Sequence, residues 1–311
     1  MSSSPIGTSI ERALEILRNG GVIGFPTETV YGLAADASNS VAVNRIFDIK
    51  GRPRNHPLIV HLPSLVEARL WSADWSTSAE ILAALFWPGP LTVIVAKALT
   101  VNHEVTGGLE TIALRVPNHA VALEVLRGLE CGVAAPSANK FGKVSPTTAE
   151  HVLNDLGSEV DYILDGGPCS IGLESTIVDC SANIIQILRP GGISRELVSQ
   201  VVPVAEQMTG PSRAPGMLDS HYAPTCRLTV VADVNEAQAL LATQAVTQQV
   251  RIIDGSSDPT LFATQMYSQL RQCDDDGIDQ AIVVLPSPNG IGTAIRDRLL
   301  KAAHGAQTQS H

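Results

Sequence analysis

The sequence predicts an α/β protein of two unequal domains, and three observations indicate this. Short β-branched runs bounded by Gly, Pro or Asp are mixed with amphipathic helical segments up to residue 209. A segment with three prolines and two glycines follows at residues 210–224, and beyond it strands and helices alternate regularly. The length of 311 residues corresponds to about two domains of ~150 residues each. Of these residues 44% are hydrophobic, which is enough for packed cores.

The first domain, residues 1–209, is expected to form a twisted mixed sheet with flanking helices, because its strands and helices do not alternate strictly. Its first helix is expected at residues 8–20, where Thr8 and Glu11 can form a capping box. Further helices are expected at residues 41–49, 64–71, 79–86, 120–128 and 146–156. Strands are expected at residues 21–25, 58–62, 91–96, 112–116, 132–135, 162–165, 175–178 and 184–188.

Residues 225–311 are expected to form a small Rossmann-like βαβαβα domain after a linker at residues 210–224. Predicted strands at residues 227–232, 250–254 and 281–285 alternate with predicted helices at residues 235–246, 259–272 and 292–303. Because strands joined by crossover helices run parallel, this unit predicts a parallel three-stranded layer. Residues 305–311 are expected to be frayed.

The composition argues against several classes of protein. The 21 Lys and Arg against 31 Asp and Glu give a formal charge of -10, so strong direct nucleic-acid binding and a lipid-binding surface are not expected. The five cysteines are dispersed without a C-x-x-C pair, which argues against a disulfide framework and a zinc ribbon. No signal-peptide pattern or apolar run of about 18 residues occurs, so we expect a cytoplasmic protein.

Residues 45–56 concentrate positive charge within this acidic chain. Arg45, Lys50, Arg52 and Arg54 stand there against Asp48 alone. The prolines that follow force extended backbone, so the last three cations are expected in a loop beside a strand. This pattern indicates an anion site, although the cations could instead complement the dipole at the end of a helix.

Two further features predict ligand contacts. Ser145 precedes Pro146 at an expected helix start, where free N–H groups can bind a phosphate, although an ordinary N-cap is the alternative. Arg115 lies inside an apolar strand, so its guanidinium needs a partner. That partner is either Glu28 or Glu174 within the protein, or a ligand carboxylate.

Motifs for other chemistries are missing from the sequence. It contains no Walker motif, dinucleotide fingerprint, nucleophile elbow or closely spaced pair of metal-binding histidines. His61 and His221 are each open to a structural or a functional role. The sequence therefore offers binding groups rather than a nucleophile.

Taken together, several ordered motifs resemble the YrdC family of threonylcarbamoyl-adenylate synthases over residues 10–200: GFPTETVYGLAADA, IKGRPRNHPLIVHL, IALRVPNH, APSANKFGKVSPTTAEHV, ESTIVD and ILRPGGIS. The segments APGMLDSHYAP and GIGTAIRDRLLKAA resemble the longer, two-domain form of the family. The resemblance implies a nucleotidyltransferase that converts L-threonine, bicarbonate or CO2, and ATP with its Mg²⁺ into L-threonylcarbamoyladenylate and pyrophosphate. It further implies that a separate tRNA threonylcarbamoyl-transferase complex uses this product to modify tRNA.

The same resemblance implies the site residues. Lys50 and Arg52 would be the catalytic cations that face the phosphates, and no metal site within the protein is implied. The threonine pocket would comprise Thr29, His61, Arg115, Ala135 and Ser175. The ATP site, with the linker as a lid, would comprise Lys50, Arg52, His56, Thr111, Ser137, Asn139, Ser145, Arg189 and Tyr222.

Two positions depart from the family pattern, and two other functions are considered. His56 stands where Lys or Asn is common, and Asp219 stands in the linker where a basic residue is usual. A carbamoyl-transfer module of the same fold is disfavoured, because the chain lacks C-x-x-C pairs and the length of the joined modules. A non-catalytic RNA-binding or ribosome-assembly module using residues 50–54 is disfavoured by the acidic charge balance.

Overall fold

The computed structural model describes residues 5–206, 221–245 and 247–308. The expected mixed α/β architecture is confirmed, with a large sheet in the first part of the chain and a small sheet in the last. Residues 210–220 of the predicted linker, including Asp219, lie outside the described residues. The domain boundaries at residues 209 and 225 therefore stay predictions.

The large sheet contains short strands in an order far from their order in the chain. Its strands are β1 (Ile6–Gly7), β2 (Ile23–Phe25), β3 (Gly32–Asp36), β4 (Ile59–His61), β5 (Ser72–Asp74), β6 (Leu91–Lys97), β7 (Thr111–Arg115), β8 (Val133–Ala134), β9 (Tyr162–Leu164), β10 (Thr176–Asp179) and β11 (Gln186–Arg189). The order across the sheet is β1-β9-β2-β3-β8-β4-β7-β6-β10-β11, with β5 paired to β6. Parallel pairs such as β4 with β7 and antiparallel pairs such as β6 with β7 make the sheet mixed.

Helices cover both faces of this sheet. They are α1 (Ile10–Arg18), α2 (Ser40–Lys50), α3 (Leu65–Leu70), α4 (Thr77–Phe86), α5 (His103–Thr106), α6 (Ala120–Leu129), α7 (Ala149–Leu156) and α8 (Arg195–Ser199). Alternate side chains of β3 enter different cores, since Leu33 packs in the cluster that contains Phe47 of α2, and Ala34 packs with Leu17 of α1 and Leu126 of α6. This alternation places β3 in the middle layer of a three-layer domain.

The main differences from the sequence-based expectations are local. Strand β3 was not expected, because Gly-Leu-Ala-Ala lacks the β-branched residues typical of strands, yet its pairing with β2 and β8 buries it. Helix α7 begins after Thr148 rather than at Pro146, because the Thr148 side chain caps it by accepting from His151 N. The Ser145 hydroxyl donates to Glu174 instead. Likewise Ser9, rather than Thr8, caps α1.

The small domain follows its predicted pattern. Its strands are β12 (Arg227–Val231), β13 (Val250–Asp254) and β14 (Gln280–Val284), in the order β12-β14-β13, and both pairs are parallel as expected. Its helices are α9 (Val234–Ala242), α10 (Pro259–Asp275) and α11 (Ile291–Thr308). The expectation of a frayed end from residue 305 was wrong up to residue 308, because Gly305 and Ala306 lie buried within α11.

The two parts of the chain share an apolar core. Val30, Val144 and Leu173 of the first part pack in the same cluster as Tyr222 and Tyr267. This cluster holds α10 and α11 against the loops that contain Val30, Val144 and Leu173. Within the described ranges, no helix combines the length and apolar character needed to cross a membrane.

Candidate functional site

A cavity opens where the loops of the large sheet meet the segment that begins at residue 221. Its volume is about 620 Å³ when its open mouth is included. The polar and charged residues in its wall are Thr27, Thr29, Lys50, Arg52, His61, Arg115, Ser137, Glu174, Ser175, Arg189, His221 and Tyr222. The concentration of buried polar groups in one concave surface marks the site where a polar ligand can bind.

Thr29 and Arg115 form one part of the wall. Arg115 ends β7, and its Nη1 donates to the Thr29 hydroxyl at 2.8 Å. Its Nη2 lies 2.7 Å from Glu28 Oε2, and both side chains are only 4% exposed. The partner left open by the sequence is therefore Glu28 within the protein. Because Thr29 lines the cavity and Glu28 does not, the Nη1 side of Arg115 is the side that faces the cavity.

His61 lies beside Arg115 because β4 and β7 are paired in parallel with these two residues in register. Burial, and then the positive charge of Arg115, lower the pKa of His61 to about 3. The imidazole is therefore neutral near pH 7. Its Nδ1 has no hydrogen-bond partner among the described residues, which leaves this nitrogen for a ligand.

A second part of the wall carries buried positive charge. Lys50 Nζ donates to the carbonyl oxygens of Ser137 at 2.6 Å and Asn139 at 2.5 Å. Gly51 follows with φ 63°, a left-handed turn that ends α2 and directs the chain to Arg52. Arg52 Nη2 donates to the Pro57 carbonyl at 3.1 Å. These cations are held in place by neutral carbonyl groups, an arrangement suited to a polyanion.

Burial and neighbouring positive charges lower the pKa values of both cations. Burial, with the nearby charge of Arg52, lowers the pKa of Lys50 well below its ordinary value. Burial lowers the pKa of Arg52 to about 10, and the charge of Arg189 acts in the same direction. A bound polyphosphate would stabilise the charged forms of Lys50, Arg52 and Arg189.

Arg189 and Ser175 form a third part of the wall. Arg189 Nε and Nη2 donate to the Ser175 carbonyl at 3.1 and 2.9 Å, and Nη2 also contacts Ser175 Oγ at 3.1 Å. Ser175 Oγ lies 2.8 Å from Thr92 Oγ1 on β6. These contacts fix the guanidinium of Arg189 against the start of β10.

Tyr222 and His221 close one side of the cavity. Tyr222 has φ 64°, which is uncommon for a bulky residue, and its ring packs at 6.0 Å from Tyr267. The ring of His221 lies 4.1 Å from that of Tyr222 and contacts Phe141 edge-on at 5.8 Å. Burial lowers the pKa of His221 to about 3 and raises that of Tyr222 to about 12. Both side chains are therefore neutral near pH 7.

Glu174 is the acidic member of the cavity wall. Burial alone would raise its pKa, but Arg298, Arg189 and the Ser145 hydroxyl lower it to about 2. Its carboxylate accepts from Ser145 at 2.7 Å, from Tyr267 at 3.0 and 3.1 Å, and from Arg298 Nε at 2.8 Å. These partners occupy the carboxylate on several sides, so Glu174 supports the wall rather than offering a free metal ligand.

Most of the expected site residues line this cavity: Thr29, Lys50, Arg52, His61, Arg115, Ala135, Ser137, Ser175, Arg189 and Tyr222. The structure does not bring the others into its wall. Half-buried His56 contacts Phe141 edge-on, and Thr111 pairs with Ala96 at the start of β7. Asn139 Nδ2 donates to the carbonyls of Lys140 and Lys143.

Ser145, also expected at the ATP site, contacts Glu174 instead of the cavity. The sequence analysis named Glu174 only as a possible partner of Arg115, not as part of the cavity wall, and left the role of His221 open. Glu174 directly precedes Ser175 in the ESTIVD motif, a position that could have identified it. Among the described residues no group of three or more His, Cys, Asp or Glu is arranged to hold a metal ion.

Comparisons with known proteins identify the family to which the chain belongs. A family model described as "Telomere recombination" (Sua5/YciO/YrdC) matches residues 15–191, and one described as "Threonylcarbamoyl-AMP synthase, C-terminal domain" matches residues 193–304. Relatives named threonylcarbamoyl-AMP synthase include a Bacillus subtilis protein, 38% identical over 95% of this chain and 93% of the relative. A Pyrococcus abyssi relative of the same name is 36% identical over 94% of each chain.

The fold agrees as well. The crystal structure of P. abyssi Sua5 complexed with L-threonine superposes with a TM-score of 0.89 at 34% identity, covering 96% of this chain and 94% of that one. The resemblance drawn from the motifs is thereby confirmed over both domains. The chain belongs to the Sua5/YciO/YrdC family, in the form that carries the Sua5 carboxyl-terminal domain.

Proposed function

We propose that this protein is an enzyme with the activity of a threonylcarbamoyl-AMP synthase, a nucleotidyltransferase that joins L-threonine, bicarbonate and ATP into L-threonylcarbamoyladenylate, with release of pyrophosphate and water. The observation that carries the proposal is one cavity in which the buried cations Lys50, Arg52 and Arg189 adjoin the Thr29–Arg115 pair. Relatives of that name cover nearly the whole chain, and the similar P. abyssi structure binds L-threonine.

The threonine substrate is assigned to the Arg115 side of the cavity. Its carboxylate would receive hydrogen bonds from Arg115 Nη1 and the Thr29 hydroxyl, while Glu28 keeps the guanidinium oriented from behind. The free Nδ1 of neutral His61 is available to the polar groups of the same substrate. Ala135 and Ser175 complete this part of the wall.

The reaction itself needs positioning and charge neutralisation more than a protein nucleophile. The threonine amine captures CO2, derived from bicarbonate, as a carbamate. A carbamate oxygen then forms a bond to the α-phosphorus of ATP as the bond to the pyrophosphate oxygen breaks. Lys50, Arg52 and Arg189 line the same cavity and would neutralise the charge that develops on the departing pyrophosphate.

Mg²⁺ is proposed to enter with ATP. The carboxylate in the cavity wall, Glu174, is already held by Ser145, Tyr267 and Arg298, so the phosphate oxygens are the better ligands. When bound, the ion would balance phosphate charge next to Lys50 and Arg52. The product is a mixed anhydride, so an acyl-transfer reaction must consume it, and we assign that step to a separate tRNA threonylcarbamoyl-transferase complex.

The decisive experiment measures pyrophosphate release by the purified full-length protein. Release is expected only when ATP, L-threonine and bicarbonate are all present, and the adenylate should be detected by mass spectrometry. Serine in place of threonine provides a matched control for the substrate. Pyrophosphate release that does not depend on threonine would contradict the proposal, whereas salt-dependent RNA binding without any release would favour the RNA-binding alternative.

A further inference from the structure

Helix α11 takes no part in the reaction proposed above, yet it carries a fully buried charge. Arg298 lies in the middle of this helix, in the IRDRLLKAA segment, and is 0% exposed. A buried guanidinium is costly unless it is paired and hydrogen-bonded. Its partners therefore indicate what it does.

Arg298 reaches three separate parts of the cavity surroundings. Its Nε donates to Glu174 Oε2 at 2.8 Å, and its Nη2 donates to the Pro190 carbonyl at 2.9 Å. Its guanidinium carbon also lies 5.1 Å from the centre of the Tyr222 ring. Nη1 pairs with Asp297 on the same helix. One side chain from the small domain thus connects three points around a cavity that lies mainly in the large domain.

Each of these contacts adjoins a residue of the cavity wall. Glu174 directly precedes Ser175, and Pro190 directly follows Arg189, so Arg298 fixes the backbone next to both. Arg189 in turn donates to the Ser175 carbonyl, which ties these two segments together. Tyr222 itself lines the cavity.

Tyr267 of α10 supports the same arrangement. Its hydroxyl donates to Glu174, and its ring stacks on that of Tyr222 with centroids 6.0 Å apart and ring planes inclined by 25°. Tyr267 and Arg298 are both fully buried and do not line the cavity. Two helices of the small domain therefore hold Glu174 and Tyr222 without reaching the space where substrates bind.

We propose that Arg298 is a positioning residue for the nucleotide, holding Arg189 and Tyr222 in their binding geometry through the Pro190 carbonyl, Glu174 and the Tyr222 ring. The inference rests on the proposed function only for the identity of the nucleotide as ATP. The small domain is then a structural part of the nucleotide site. The planar guanidinium suits this role because it can make its contacts in different directions at once, which an ammonium group cannot.

The test compares Arg298→Lys and Arg298→Met with a matched interdomain control. The hydroxyl of Thr147, just before α7, lies 3.1 Å from that of Ser268 on α10, also between the two parts of the chain, and neither residue lines the cavity. Ser268→Ala therefore weakens domain contact without removing a partner of Arg298, Glu174 or Lys50. For these three variants and for Tyr267→Phe, thermal unfolding, steady-state kinetics for each substrate and calorimetric ATP binding without turnover would be measured.

The KM and Kd for ATP should rise about tenfold in Arg298→Lys, the loss expected for one charge-assisted hydrogen bond, and further in Arg298→Met. The KM for threonine should rise less than the KM for ATP, because Arg298 acts on the threonine side only through Ser175 and leaves the Thr29–Arg115 pair unchanged. Ser268→Ala should lower the unfolding temperature and leave both KM values unchanged. Tyr267→Phe, which keeps the stacked ring and removes only the bond to Glu174, should raise the ATP KM less than Arg298→Lys.

Three outcomes would overturn the inference. The first is unchanged ATP affinity in a folded Arg298 variant, and the second is an equal rise in both KM values. The third is the same loss of ATP affinity in Ser268→Ala. If neither Arg298 variant folds, unchanged ATP affinity in Tyr267→Phe would also overturn it. Failure of the proposed function is distinguishable, because the wild-type protein would then release no threonine-dependent pyrophosphate while calorimetry still reports on nucleotide binding.

Discussion

Replacing Arg115 is expected to separate threonine binding from nucleotide binding. Arg115→Ala removes the guanidinium to which we assign the threonine carboxylate, a charge-assisted interaction of about 2–3 kcal/mol, so the KM for threonine should rise roughly 30- to 150-fold. The cations on the ATP side, Lys50 and Arg52, make their hydrogen bonds to other groups, so the KM for ATP should change less than about twofold.

Removing Arg115 alone should also lower the free energy of unfolding, which would obscure its effect on threonine binding. Arg115 and Glu28 form an ion pair at 2.7 Å with both side chains 4% exposed. Removing the arginine alone leaves a buried carboxylate without its cation, at a cost of about 3–5 kcal/mol. That is a large fraction of the ~5–15 kcal/mol that stabilises a typical domain. The variant must therefore be paired with one that removes both charges.

The double variant Glu28→Ala/Arg115→Ala serves this purpose. Urea unfolding should show that it recovers much of the stability lost in Arg115→Ala, because no uncompensated buried charge remains. Threonine-dependent pyrophosphate release should nevertheless keep its raised KM for threonine. If the double variant instead regains wild-type affinity for threonine, Arg115 serves only to neutralise Glu28. Equal losses of threonine and ATP affinity would also refute its assignment to the threonine carboxylate.

Three further predictions concern other parts of the cavity. Thr29→Val keeps the side-chain shape but removes the oxygen that accepts from Arg115 at 2.8 Å, so steady-state assays should show a threonine KM raised about tenfold. Lys50→Met should lower kcat/KM for ATP by about 100-fold or more, because it removes a cavity cation to which we assign the phosphates, and unchanged kinetics would contradict that role. Acidification from pH 7 to 5 should destabilise the fold, because His61 and His221 have folded pKa values of about 3 against an ordinary 6.5. The unfolded chain then binds more protons between those limits, which costs about 2 kcal/mol per histidine over this range. Urea titrations at the two pH values would measure the loss, and His61→Gln should remove its own share.

The sequence predicted the elements whose pattern is local and left out those that depend on their neighbours. Strands β6 and β7 were expected because they are apolar and β-branched, whereas β3 is rich in Gly and Ala and is a strand only because β2 and β8 pair with it. Ser145 before Pro146 is a sound helix-start signal, but Thr148 caps α7 and Ser145 donates to Glu174. A tertiary hydrogen bond there overrides a local preference.

The candidate site shows the same division. The motifs identified most residues that line the cavity, since the resemblance extends over both domains. They did not identify Glu174 as part of its wall or Arg298 as the partner of Glu174. Those two residues are separated by 124 positions in the chain, and no periodicity or spacing relates them.

By itself the sequence determined the α/β class, the parallel small sheet, the concentration of cations at residues 45–56 and the need for a partner to Arg115. Only the tertiary structure decided that Glu28 is that partner, that His61 lies in register with Arg115, and that α11 supports the cavity. The physical reason is that strand order and domain packing decide which buried charges meet. Helix and strand patterns arise from interactions between near neighbours in the chain, whereas a buried ion pair depends on distant segments being brought together by the whole fold.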